Sequence, residues 1–229
     1  MVKTVISGDI IASTSLTDSE RVFIEKSLKN LLKDLRKNFN AYGHLIKGDY
    51  IDCVVEEPAE ALRAALAIKS YVKSLRLDNP VKGTKNNRFR KYRTYRIRLA
   101  IGYGELSRYD PDKDIIDGEA IYLSGRTISQ METYTKERIV IKNTLFFASK
   151  NEKLNNGFEA LFALLDVLLS KATSKQSEVL YLKLLRFNEN QISEKMKISQ
   201  QTVNKHSRSI GWIAIEKAVE YFSTVIRNS

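Results

Sequence analysis

The sequence contains little of what builds disulfide-stapled, fibrous or membrane-embedded proteins. Among its 229 residues there are 1 Cys, 3 Pro and 10 Gly. The single cysteine, Cys53, excludes an internal disulfide framework and indicates a reducing compartment. The few glycines and prolines exclude collagen-like and low-complexity chains. No apolar run approaches the roughly 18 residues that a membrane-spanning helix needs. We therefore expect a cytoplasmic protein with no membrane partner.

What the sequence has in excess is positive charge. Lys and Arg number 38 against 27 acidic residues, which gives a formal net charge of +11. Such an excess is typical of chains that bind an anionic partner, although solubility alone also explains a basic surface. Eight basic residues and no acidic residue lie within 82–98, and a second basic region covers 171–229. Positive charge thus has two centres along the chain.

Hydrophobic periodicity predicts an α+β chain in two parts. Strand-like runs alternate with amphipathic helical runs in a β-α-β-β-α-β-α-β order over the first part. With right-handed crossovers, this order predicts a ferredoxin-like antiparallel sheet with helices on one face. The polar, Asn-rich segment 151–157 is typical of a linker. We therefore expect one domain over 1–150, a linker over 151–157 and an all-α domain over 158–229.

The segment 191–206 carries the most specific pattern in the chain. Ile192 and Met196 are four residues apart on one face of a predicted helix, and Val203 packs back from a second helix. Ser199 is a favourable N-cap for that second helix. The pattern resembles a helix-turn-helix, whose second helix reads the major groove of DNA.

The second helix of this pattern presents polar and basic side chains, the types that contact base edges and phosphates. The candidate DNA-binding residues are Ser199, Gln200, Gln201, Thr202, Asn204, Lys205 and Arg208. Lys197 stands where many such motifs have glycine. A helical bundle that mediates dimerisation or partner binding is the alternative interpretation.

Four segments of the N-terminal part resemble, in the right order, the class III nucleotidyl cyclases. They are 8–14, 46–49, 96–105 and 118–126. The resemblance implies that Asp9 and Asp49 hold Mg²⁺ or Mn²⁺ ions that bridge nucleotide phosphates. It implies that Arg126 stabilises the charge on the transferred phosphoryl group. Because that arginine usually comes from the partner chain in the family, a homodimer is also implied.

The resemblance further assigns nucleotide-binding positions to Ile10, Ser13, Thr14 and Gly48. Other positions depart from the family's pattern. Tyr122 stands where the family has a transition-state asparagine, Leu45 where adenylyl cyclases have a base-selecting lysine, and Ile115 at the third selector position. A degraded site that binds a nucleotide, or binds nothing, is therefore favoured over an efficient cyclase.

The two parts together resemble the SatD-like bacterial family. The resemblance is carried by the segments 8–10, 175–176, 199–201 and 211–212. It predicts a dimeric, DNA-binding transcriptional regulator whose cyclase-like domain senses a nucleotide or mediates dimerisation. Two alternatives stay open. One is an active metal-dependent nucleotidyl cyclase regulated by its helical domain. The other is a non-enzymatic scaffold whose basic segment, 82–98, binds an acidic partner.

Overall fold

The structure, a computed structural model, describes residues 2–76, 95–134 and 143–229. The strands in these ranges are β1 (Val2–Ile10), β2 (Ala41–Ile46), β3 (Tyr50–Val55), β4 (Ile97–Asp110), β5 (Ile115–Gly118) and β6 (Leu145–Ser149). The α-helices are α1 (Asp18–Phe39), α2 (Ala61–Ser74), α3 (Glu119–Tyr134), α4 (Glu152–Lys171), α5 (Ser174–Leu184), α6 (Glu189–Met196), α7 (Gln200–Ser209) and α8 (Trp212–Arg227). Across the described ranges, every helix is too short or too polar to cross a bilayer.

The six strands form one sheet with the order β2-β3-β1-β4-β5, and β6 pairs with β4. β1 lies between β3 and β4 and is antiparallel to both. β6 is parallel to β4. The run β2-β3-β1-β4 is the ferredoxin-like arrangement. The predicted α+β class and ferredoxin-like sheet are therefore confirmed.

The register of β1 divides its side chains between two faces of the sheet. Residues directly opposite each other in neighbouring strands point to the same face. Ile6 lies opposite Cys53 and Ile101, and all three are fully buried in the main apolar core. Ser7 and Asp9 are an odd number of positions from Ile6 along the strand. Their side chains therefore point to the opposite face of the sheet.

The core face is covered by α1 and α2. α1 begins at a capping box in which Thr17 and Glu20 bond each other's backbone, and it ends at Asn40 in the left-handed conformation. Its buried apolar residues follow helical spacing and join the core that contains α2 and the sheet. These residues are Ile24, Leu28, Leu31, Leu35 and Phe39.

The opposite face of β1 and β4 is covered by α3. The Oγ atoms of Ser124 and Ser7 share a hydrogen bond of 2.7 Å. Ala120 forms a small apolar cluster with Val5 and Val54 on this face. The prediction placed the helices on one face, where α1 and α2 lie; α3 adds a layer on the other face.

The predicted linker, 151–157, is the N-cap and the first turns of α4. The side chain of Asn151 accepts hydrogen bonds from the backbone N–H groups of Lys153 and Leu154. An Asn-rich stretch therefore starts a helix here, because asparagine is a strong N-cap as well as a loop former. Further along α4, Phe158 contacts Phe147 of β6 with ring centroids 4.9 Å apart. The helical part thus shares one apolar core with the sheet.

A buried ion pair also joins α2 to α4. Lys69 Nζ lies 2.9 Å from Asp166 Oδ1, and the two side chains are 9% and 7% exposed. Lys69 donates to the carbonyl oxygen of Ile97 at 3.3 Å, and Asp166 accepts from Thr144 Oγ1 at 2.9 Å. Burial lowers the pKa of Lys69, and Asp166 opposes that shift. The pair thus ties both helices to the starts of β4 and β6.

Candidate functional site

The two aspartates predicted to bind metal lie at the same end of the sheet. Asp9 is near the end of β1, and Asp49 is in the turn between β2 and β3. In that turn Gly48 has a φ of 84°, which glycine adopts without steric cost. The backbone N–H of Ile10 donates to the carbonyl oxygen of Asp49 at 3.1 Å. Chain topology therefore brings the backbones of these two positions close together.

Asp9 is engaged by an arginine on the neighbouring strand. Arg98 lies directly opposite Asp9 in the β1–β4 pair. Its Nε donates to Asp9 Oδ1 at 3.0 Å and its Nη2 donates to Oδ2 at 2.6 Å. The two side chains are 14% and 15% exposed. Such a two-pronged arginine–carboxylate contact fixes both groups in orientation.

This arrangement does not fit a divalent cation. Mg²⁺ and Mn²⁺ take oxygen ligands, and both oxygens of Asp9 accept hydrogen bonds from Arg98. In the part of the chain that the structure describes, no three His, Cys, Asp or Glu side chains are grouped to hold a metal ion. A cation at Asp9 would therefore lie beside the positive charge of Arg98 and would find too few protein ligands among the described residues.

The other predicted nucleotide-binding residues surround the same end of the sheet. Ile10 ends β1 and is 2% exposed. Ser13 and Thr14 lie in a 3-10 turn that follows Ala12, whose φ of 61° is left-handed. Because this turn leads directly from β1 into α1, it lies beside the Asp9 end of the sheet. The predicted residues are thus neighbours in space as well as in sequence.

Deeper on the same face is a buried polar cluster that the sequence interpretation did not include. Ser7 Oγ donates to Asp52 Oδ1 at 2.5 Å and also bonds Ser124 of α3. Burial raises the pKa of Asp52, and the hydrogen bond from Ser7 opposes the rise. His44 lies opposite Asp52 in the β2–β3 pair. Since Ser7 is fully buried, this cluster holds α3 on the sheet and is closed to a substrate.

Arg126 does not join the aspartates within one chain. It is exposed on α3, two residues beyond the buried Ser124. Two residues correspond to a rotation of about 200° around a helix, so Arg126 points away from the sheet on which Ser124 packs. Tyr122 is also exposed, and its hydroxyl donates to Asp117. A role for Arg126 in nucleotide chemistry would therefore require a second chain.

Of the basic segment 82–98, residues 82–94 lie outside the described residues. Arg96 and Arg98 are within them. Arg98 is the partner of Asp9, a role that the sequence interpretation missed. Alternation along β4 predicts a polar face that includes Arg98, but the register that sets it opposite Asp9 is a property of the folded sheet.

In the C-terminal part, α6 and α7 are joined by a tight turn. Lys197 follows α6 with a left-handed φ of 53°, the conformation for which glycine is more often used. Ser193 Oγ donates to the carbonyl oxygen of Ile198 at 2.6 Å. Ser199 Oγ accepts from the backbone N–H of Thr202 at 3.2 Å, so Ser199 caps α7 as predicted. These local bonds fix the angle between the two helices.

The two faces of α7 differ in character. Val203 and Ser207 are buried against the rest of the helical part, and Thr202 is half-buried. The other predicted DNA-binding residues are exposed: Ser199, Gln200, Gln201, Asn204, Lys205 and Arg208. The exposed face of α7 is thus polar and basic.

No protein-family model and no curated protein matches the chain. Among solved structures, a dimeric guanylyl cyclase domain from the aquatic fungus Blastocladiella emersonii is 19% identical, with a TM-score of 0.41 over 58% of this chain and 73% of that one. A bacterial light-regulated adenylyl cyclase is 18% identical, with a TM-score of 0.40 over 64% of this chain and 74% of that one. The side chains of the site, rather than this similarity, therefore decide the proposed function.

Proposed function

We propose that the chain is a DNA-binding transcriptional regulator in which α6 and α7 act as a helix-turn-helix. The observation that carries the proposal is the exposed polar face of α7. Gln201 and Asn204 are of the type that reads adenine edges, and Lys205 is of the type that contacts guanine or phosphate. A helix with this face is suited to the major groove.

The charge around α7 supports an anionic partner. Between residues 195 and 208 there are four Lys and Arg residues and no Asp or Glu. All four are exposed: Lys195, Lys197, Lys205 and Arg208. Clustered basic side chains bind the phosphate backbone by releasing counterions. Salt-dependent binding to DNA of any sequence is the least that this surface is expected to give.

In this proposal the N-terminal domain mediates homodimerisation or senses a nucleotide. Arg126 and Tyr122 are exposed on α3 and are available to a second copy. A two-fold dimer would present two α7 helices to two DNA half-sites, and the distance between them would set the half-site spacing. A nucleotide bound near Asp9 would act by changing that distance.

Replacing Asn204 and Lys205 together by alanine is expected to weaken binding to a DNA site selected from a random pool. Each base-reading contact contributes about 1–3 kcal/mol, so the affinity should fall at least about tenfold. Fluorescence anisotropy with labelled duplex measures the change. Because both side chains are exposed, the fold should be unaffected.

The matched control replaces Lys26 and Asn30, an exposed lysine and asparagine on α1. It removes the same charge and the same amide, and its DNA affinity should equal that of the unaltered chain. Equal affinities for the two double variants would refute α7 as the recognition helix.

Active cyclase chemistry is the second candidate, favoured by the closeness of the Asp9 and Asp49 positions. We expect no cyclic product when the chain is incubated with the four ribonucleoside triphosphates and Mg²⁺ or Mn²⁺. The physical reason is that the carboxylate of Asp9 is already paired with Arg98 and that Tyr122 has no amide group to donate a hydrogen bond. Mass spectrometry checks for products beside Asp9→Ala and Asp49→Ala controls. A cyclic product that disappears in both controls would make the chain a cyclase.

A further inference from the structure

We infer that Arg98 is the resident cation of the Asp9 site, in the place where the resemblance put a divalent metal ion. The inference goes beyond DNA binding and does not depend on it. What it implies for ligand binding rests on the nucleotide-sensing role proposed for the N-terminal domain. An anionic ligand at this end of the sheet would bind without Mg²⁺ or Mn²⁺.

Register makes the contact between Arg98 and Asp9 a built-in feature of the sheet. The two residues are directly opposed in a β1–β4 pairing that runs without a shift from Val2 to Ile10. Both backbones are therefore held by ladder hydrogen bonds on either side of the contact. The two side chains meet across the pair, and both oxygens of the carboxylate accept a hydrogen bond.

Burial strengthens the contact against competition from a hydrated metal ion. The two side chains are only 14% and 15% exposed, so water screens their attraction poorly. A metal ion that bound the remaining lone pairs of Asp9 would lie beside the guanidinium of Arg98. The two positive charges would then oppose each other. Arginine keeps its charge at every accessible pH, so Arg98 does not lose a proton to make room for a metal ion.

The pairing also changes what the site attracts. An unpaired Asp9 would repel phosphate, and a bridging cation would be needed to bring the two together. With Arg98 in place the negative charge of Asp9 is already balanced. A nucleotide phosphate can therefore approach this end of the sheet without a metal bridge.

The test measures Mn²⁺ binding to the full chain in the absence of nucleotide and DNA, by the electron paramagnetic resonance signal of free Mn²⁺. The unaltered chain is expected to take up no Mn²⁺ at this site. Arg98→Gln should take up one Mn²⁺ measurably, because the positive charge that opposes a cation at Asp9 is removed. Adding Asp9→Asn to Arg98→Gln should abolish the gain.

Arg63→Gln is the control for loss of a similarly buried arginine, 15% exposed, because its partner Glu60, the residue before α2, keeps Arg186 at 2.7 Å. It should not create Mn²⁺ binding. Circular dichroism checks that each variant folds. If Arg98→Gln does not fold, Arg98→Met replaces it, since methionine removes the charge and keeps a long unbranched side chain. That variant should bind Mn²⁺ more tightly than the unaltered chain.

Two results would overturn the inference. One is uptake of a single Mn²⁺ by the unaltered chain that Asp9→Asn removes. The other is failure of the folded Arg98 variants to gain any Mn²⁺ binding, since Asp9 would then be no latent metal ligand. Because the readout involves no DNA, neither result bears on the role proposed for α7.

Discussion

Replacing Asp166 by alanine is expected to lower the free energy of unfolding by about 3–5 kcal/mol, because removing one member of a buried ion pair leaves the other charge uncompensated. The charge left behind is that of Lys69, whose side chain is 9% exposed. Asp166 also accepts a hydrogen bond from Thr144 Oγ1. The variant therefore weakens the attachment of α4 to both α2 and the sheet.

The pH dependence separates this cause from a simple loss of packing. Burial already lowers the pKa of Lys69 from its ordinary value of 10.5, and Asp166 opposes that shift. Without Asp166 the pKa in the folded state falls further, while the unfolded value is unchanged. Between those two values the unfolded chain binds more protons, so stability rises with pH. The deficit of Asp166→Ala should accordingly shrink as the pH is raised toward 10.5.

Urea unfolding followed by circular dichroism measures both effects. Glu159→Ala is the control, because Glu159 is an exposed acid on the same helix and should change stability by less than about 0.5 kcal/mol. A second variant, Asp166→Ala with Lys69→Met, removes both charges and should recover much of the loss. An Asp166→Ala variant as stable as Glu159→Ala would refute the uncompensated charge as the cause.

Local signals in the sequence predicted local structure well. The capping box of Thr17 and Glu20 starts α1, and Ser199 caps α7. Both depend on contacts between residues a few positions apart, so the sequence contains all the information that they need. The same holds for alternation in β4, which placed Ile97 and Ile101 in the core.

Two features of the structure were not predicted. The Asn-rich segment 151–157 has the composition of a linker, yet Asn151 caps α4 and Phe158 packs on β6. Composition does not distinguish a loop asparagine from a capping asparagine, because both exploit the same side-chain hydrogen bond. The face of the sheet that α3 covers was also decided by tertiary contacts, above all the bond from Ser124 to Ser7.

The candidate site also has one feature that could be predicted and one that could not. That the backbones of Asp9 and Asp49 lie close together could be predicted, but only from the family resemblance, since the strand order was not known from the sequence. The pairing of Asp9 with Arg98 could not, because 89 positions separate the two residues and only the β1–β4 register sets them opposite each other. A shift of that register by one residue would send Arg98 to the other face.

The close approach of α3 to β4 predicts a second large loss of stability, in Gly102→Ala. A Cβ atom at Gly102 would lie 2.0 Å from the carbonyl oxygen of Ala120 and 2.8 Å from the backbone nitrogen of Ser124. Both contacts are with helix backbone, which cannot rotate away as a side chain can. α3 must therefore move off the sheet, and we expect a cost of about 3 kcal/mol or more, at the upper end for overpacked sites.

Gly157→Ala is the matched control for Gly102→Ala. A Cβ atom at Gly157 meets nothing within 4 Å, and the residue lies inside α4. Alanine there should raise stability by about 0.5–1 kcal/mol, because it restricts the unfolded chain and favours the helix. Urea unfolding of both variants gives the comparison. One methyl group is thus expected to act with opposite signs at the two positions.

The size of the stability change in Gly102→Ala tests whether close packing against β4 holds α3 in place. Alanine is no worse than glycine as a strand residue, so backbone propensity alone predicts no loss at Gly102. A large loss can come only from the contact with Ala120 and Ser124. Unchanged stability would mean that α3 yields easily, and the hydrogen bond between Ser124 and Ser7 would then not fix the helix that carries Arg126.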